Sequence, residues 1–212
     1  SPSTMGGILR SRAFWGLAVA TIFMNPLNYL YATWLPRYFE NYAGVEFGQA
    51  LATKLILVYL ALDLGLWTGG GTATLLSRRL GVTRARLLIA GVGVVAMALI
   101  PLVSGLESLT AITAIICTAT FGLGCFIVTY LSFVSEVSTT RVATAAGWLG
   151  GIGSIAGAGF MLLVGNTVAG TSSFNLTFVM AGVMPLLAFG GMVYGATGGK
   201  AAGIVAGGGA RP

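Results

Sequence analysis

The chain has 212 residues, of which 56% are hydrophobic and only 8% charged, with a mean hydropathy of +0.92, and that leaves too little polar surface for a water-soluble domain of this size. Its formal net charge is +6, and it carries two cysteines and no histidine, which excludes a Ser-His hydrolase, an HExxH metalloprotease and a metal or haem centre built on imidazole. Composition therefore names lipid as the solvent, and at roughly 20 apolar residues per span across a bilayer core of about 30 Å the length accommodates about six helices.

Six apolar runs follow in chain order, and since backbone groups must be satisfied inside lipid each run predicts a helix rather than a strand. Residues 1–12 read as a cytoplasmic loop leading into the bundle. The first run, 13–35, places Thr21, Asn25, Asn28 and Tyr29 on one helical face and carries Pro26 in mid-span, where a missing N–H predicts a kink. Two readings of that face stay open: the lining of a polar cavity, or asparagines that hold neighbouring helices. The second run, 55–76, contains Asp63, the one carboxylate predicted deep in a span. Burying it charged is costly, so it is either a proton or substrate site or a structural hydrogen-bond acceptor.

Arg78, Arg79, Arg84 and Arg86 fill the gap before the third run, 87–103; they read as a cytoplasmic gate or as anchors that set topology. The fourth run, 109–134, carries Thr118, Gly122, Cys125, Thr129, Ser132 and, just beyond it, Glu136 at steps of three and four. That stripe either faces the first span across a cavity or bonds back to its own helix carbonyls. Cys117 and Cys125 sit about 12 Å apart along one helix axis, too far for a disulfide. The fifth run, 142–168, and the sixth, 174–196, complete the bundle, and 198–212 reads as a flexible, glycine-rich cytoplasmic tail. Among the 33 glycines, the pairs Gly65/Gly69, Gly147/Gly151 and Gly153/Gly157 are four apart and predict grooves for close helix approach.

Charge sets orientation. With the N-terminus cytoplasmic, nine of the eleven Lys and Arg residues fall inside (Arg10, Arg12, Arg78, Arg79, Arg84, Arg86, Arg141, Lys200, Arg211), while Arg37 and Lys54 fall outside with Glu40, Glu46 and Glu107. The positive-inside rule then places both termini in the cytoplasm and explains the net charge by topology, without nucleic acid as a partner. Nothing in the sequence calls for a cofactor, a metal or an enzyme's reactive groups.

Three stretches carry a resemblance. Residues 12–39, with AFWG at 13–16, Asn25-Pro26 and WLPRYF at 34–39, the segment ALDLGLWTGGGTATLLSRRLGVTRAR at 61–86, and SFVSEVSTTRVATAAGWLGGIGS at 132–154 resemble the anion:cation symporters of the major facilitator superfamily, particularly the hexuronate and sugar-acid carriers. The likeness covers nearly the whole chain and is most specific at 61–86. It implies an all-α, polytopic membrane protein whose residues 13–197 form the C-terminal six-helix half of a twelve-helix carrier in the inner membrane of a bacterium. It also implies that most residues coupling H+ or Na+ movement to transport lie in the other half.

By the same resemblance the substrate is a small organic anion, sugar-acid-like, and the binding residues are Asn25, Asn28, Tyr29, Phe126, Thr129, Ser132 and Ser154. These carriers often show a Trp and an Asn three residues apart in the tenth helix, ahead of a Ser-Asp step. Here Phe126, Thr129 and Ser135-Glu136 stand at those positions, so the aromatic wall is kept and the amide is lost. A second reading, of a different class, is a standalone six-helix membrane subunit that dimerises through its glycine grooves.

Overall fold

The apolar runs fold as helices whose ends are fixed by a few local signals. In the computed structural model residues 5–138, 140–171 and 173–203 are described. A short helix α1 (Met5–Leu9) precedes α2 (Arg12–Tyr29), whose first turn is capped by Ser11, its hydroxyl accepting from the Phe14 N–H at 3.1 Å. Pro26 cannot donate to the carbonyl one turn back, and the helix leaves α geometry soon after it, passing through a π turn (Leu30–Trp34) into α3 (Leu35–Asn41). Pro26 thus lies within α2, three residues before its end, and the wide turn that follows belongs to a helical path running from Arg12 to Asn41.

Two long helices and a turn follow. Helix α4 spans Gln49–Leu80 and α5 spans Val82–Met97, separated by Gly81, whose φ of +81° lies in the region that favours glycine. Pro101 ends regular α geometry, and a 3-10 turn (Ile100–Gly105) completes the third apolar segment. Then come α6 (Leu109–Val137), α7 (Val142–Thr171) and α8 (Asn175–Gly203). Residues 198–203 of the expected tail thus continue the last helix, and 204–212 lie outside the described residues.

Five of these segments are long and apolar enough to cross a membrane: Gln49–Leu80, Val82–Gly105, Leu109–Val137, Val142–Gly170 and Asn175–Thr197. The first segment, expected as a sixth span, is helical but does not reach the same apolarity, because Arg12 opens α2 and Asn25 and Asn28 sit near its close. The chain is an integral, multi-pass membrane protein.

Packing follows a swapped pattern. Helix α6 lies against α4 and α5, and α2 lies against α7 and α8; α2 and α6 then meet each other. The two innermost helices are therefore each flanked by helices from the opposite half of the sequence. Small residues let them approach. A Cβ on Gly65 or Gly124 would fall 2.1 or 2.3 Å from the Phe121 or Leu62 carbonyl oxygen across the α4–α6 seam, and one on Gly122 2.4 Å from Gly93 O across the α5–α6 seam. Gly16 meets Gly191 and Gly195 in the same way across α2–α8. Of the predicted glycine pairs, Gly65/Gly69 and Gly153/Gly157 lie in such seams, against α6 and α2 respectively, whereas Gly147 and Gly151 face open space.

At the end of the bundle that holds α3, Tyr38, Tyr42, Phe174 and Phe178 form an edge-to-face cluster with ring centroids 4.8–6.4 Å apart.

Candidate functional site

The α2–α6 crossing leaves a cleft of about 180 Å³. Thr21, Met24, Asn25 and Asn28 supply one wall at steps of three and four along α2; Leu123, Phe126, Ile127, Tyr130 and Leu131 supply the other from α6. Most of the lining is apolar, with two amides and two hydroxyls set into it, the composition expected of a site that holds a small molecule by shape and orients it by a few hydrogen bonds. Thr21 is buried, Asn25 half-buried and Asn28 exposed, so the polar wall grades outward from the interior.

A third helix supports it from behind. A Cβ at Gly153 of α7 would fall 2.5 Å from Thr21 Oγ1 and 3.0 Å from Asn25 Nδ2, so the glycine is what allows these two side chains to lie between α2 and α7. Tyr130 of α6 faces Thr21 of α2 as the other hydroxyl lining the cleft. Sequence reasoning missed Tyr130, Met24 and the aliphatic residues Leu123, Ile127 and Leu131 of α6; the signal available was the Phe126/Tyr130 spacing of four, which stacks two aromatics on one face of α6.

Of the residues singled out from the sequence, Asn25, Asn28 and Phe126 are brought together at this cleft. Tyr29 is not among its lining residues: its ring packs over Gly157, where a Cβ would fall 2.4 Å from it. Ser154 is exposed on α7, one position beyond the Gly153 contact. Thr129 and Ser132 point away from α2 and line a different cavity, between α4, α5 and α6, together with Arg86.

From Gly122 to Glu136 the polar stripe of α6 faces α4 and α5 rather than the first span, and Thr118 is exposed. Its hydroxyls bond back to the helix: Thr118 to Ala114 O (2.8 Å), Thr129 to Phe126 O (2.8 Å) and Ser132 to Val128 O (2.8 Å). The Cys125 thiol donates to Gly65 O on α4 at 3.4 Å, and both cysteines are free. Of the two readings left open for this stripe, the bond back to its own helix is the one the structure takes; α2 contributes amides to the cleft, and α6 meets them with aromatic and aliphatic groups.

Asp63 lies on the exposed face of α4, outside the cleft. Arg78 and Arg79 close α4, Arg84 and Arg86 open α5, and Arg86 forms an ion pair with Glu136 at the end of α6 while lying over the Phe133 ring.

No family model matches the chain. It is similar to the gentisate transporter of Corynebacterium glutamicum, with 31% identity over 171 residues, 80% of this chain and 36% of that protein. It is also similar to the hexuronate transporter of Escherichia coli K12, with 27% identity over 195 residues, 87% of this chain and 43% of that protein. The chain thus spans less than half the length of the curated relatives it matches. A multi-pass membrane protein with distant relatives named as transporters is the class that the fold and these likenesses define.

Proposed function

We propose that this chain is one half of a secondary transporter of the major facilitator type, moving a small organic anion across a bacterial inner membrane by alternating access. In this reading residues 13–197 form six spans, with the Arg12–Asn41 helical path as the first, both termini are cytoplasmic, and a second six-helix half completes the carrier. One observation carries the reading. The two helices at the centre of the bundle, α2 and α6, leave between them a cleft whose polar groups, Thr21, Asn25, Asn28 and Tyr130, are set into apolar walls, where rocking of two halves would open and close it.

Gentisate and hexuronates share a carboxylate and ring hydroxyls, and a cleft of amides and hydroxyls with an aromatic wall suits that chemistry. None of the residues lining the cleft is basic. The cation that meets the carboxylate is therefore supplied by the rest of the carrier, as is the coupling to H+ or Na+. Asn25, Asn28 and Phe126 are the substrate contacts we assign to this half; Asp63 is assigned to coupling or to the seam with the second half.

The test is uptake of radiolabelled glucuronate and gentisate into proteoliposomes containing the full reading frame from which this chain comes. Accumulation of either acid that collapses in the Asn25→Ala/Asn28→Ala double variant supports the proposal. A reading frame without further spans, and a stable dimer that moves neither acid, would replace it with a dimerising membrane subunit.

A further inference from the structure

The cavity between α4, α5 and α6 has a lining unlike that of the α2–α6 cleft. It measures about 270 Å³ and is bounded by Gly70, Thr74, Ser77, Arg86, Thr129 and Ser132, with aliphatic groups between them. No carboxylate lines it. The four hydroxyls already donate to helix carbonyls, Thr74 to Gly70 O at 2.9 Å and Ser77 to Thr74 O at 2.6 Å among them, so the guanidinium of Arg86 is the strong donor. It carries five N–H groups in a fork suited to phosphate or carboxylate oxygens, and the structure commits one nitrogen, Nη1, to Glu136.

That ion pair is poorly protected: the Glu136 side chain is 52% exposed against 22% for Arg86, and solvent-exposed pairs of this kind hold their partners weakly. An anion entering the cavity thus meets an arginine held in place by Phe133 and only weakly claimed by its carboxylate. Arg78 and Arg79 at the end of α4 and Arg84 at the start of α5 raise the positive potential at the same helix ends. Basic pockets between spans at the cytoplasmic side are where anionic headgroups are recognised.

We propose that this cavity is a phosphate-binding site, in which a phosphate oxyanion takes the free N–H groups of Arg86 in competition with Glu136. The site is separate from the α2–α6 cleft and does not depend on transport. Two sources share the chemistry, the phosphodiester of an anionic lipid and free inorganic phosphate.

The purified 212-residue chain in detergent, followed by thermal denaturation, provides the test, with short-chain phosphatidylglycerol, short-chain phosphatidylcholine and inorganic phosphate as probes. Phosphatidylglycerol or phosphate raises the melting temperature in a saturable way, and phosphatidylcholine raises it less. Arg86→Ala weakens the apparent affinity about tenfold, the loss of one charge-assisted contact. Glu136→Gln strengthens it several-fold by freeing the guanidinium, and Arg79→Ala changes it less than about twofold because a distant surface charge acts only through a screened field. Stabilisation by inorganic phosphate assigns the free anion; stabilisation by the lipid alone assigns the headgroup.

The proposal is overturned if neither anionic probe stabilises the chain, if Arg79→Ala costs as much as Arg86→Ala, or if Glu136→Gln leaves affinity unchanged. Should Arg86→Ala fail to yield monodisperse protein, the Glu136→Gln comparison decides by itself.

Discussion

Helices α4 and α6 pass the same test of length and apolarity, yet 56% of the most apolar stretch of α6 is buried in the protein against 17% of that of α4. They touch along one seam and differ on every other face. Helix α6 is enclosed by α4, α5 and α2, and its small residues Gly122 and Gly124 are pressed against backbone on two sides. Helix α4 offers Gly65 and Gly69 to that seam and turns Leu60, Leu64, Trp67 and the carboxylate of Asp63 outward. Hydropathy reports that a helix leaves water; it does not report whether lipid or protein receives it. A carboxylate on an outward face in mid-helix is expensive against lipid, and this is the reason to expect a second half rather than acyl chains against that part of α4.

The sharpest way to break the comparison is to hollow out the enclosed helix. Phe126→Ala, at a side chain with no exposed surface, is expected to lower stability by about 3–5 kcal/mol, read as a large fall in melting temperature in detergent. Next is the seam itself. Gly65→Val places its Cβ against a backbone oxygen 2.1 Å away, for an expected loss near the upper end of ~1–3 kcal/mol. Gly71→Val, two turns on and facing open space, should melt with the parent within about 0.5 kcal/mol.

Asp63→Asn sharpens the contrast differently. In the chain alone its melting point should stay within about 0.5 kcal/mol of the parent, whereas uptake by the full reading frame should fall severalfold; equal uptake would remove Asp63 from both coupling and the seam. A small effect is also expected at the helix ends. Arg86→Ala and Glu136→Gln should each change stability without ligand by no more than about 1 kcal/mol, measured in the same melts.

The bundle was largely legible in the sequence because its signals are local. Each apolar run became helix, with ends moved by a turn or two where charges lie within helix, as Lys54 does in α4. Gly81 and Pro101 end segments for reasons visible in the residue type alone. The cleft was half legible. Thr21, Asn25 and Asn28 announced a polar face on α2, and that face does line a cavity. The partner face was left between two readings, because α6 has two distinctive faces, one of hydroxyls and glycines and one of aromatics. Periodicity cannot tell which of them a given neighbour will take. That choice is made by Gly93, Gly65 and Gly69, which fit the small face of α6 and leave Phe126 and Tyr130 for α2.

The π turn at Leu30–Trp34 holds one residue more than the α-helical turn it replaces. A wide turn is how a helix absorbs one extra residue, so Tyr38 and its contacts with Phe174 and Phe178 keep the azimuth they would have after an ordinary α turn. Deleting Ala32 would close the turn into α geometry and leave this aromatic group facing nearly the same way. In comparing such chains, a single-residue gap between Leu30 and Trp34 is therefore a change in the width of one turn rather than of direction.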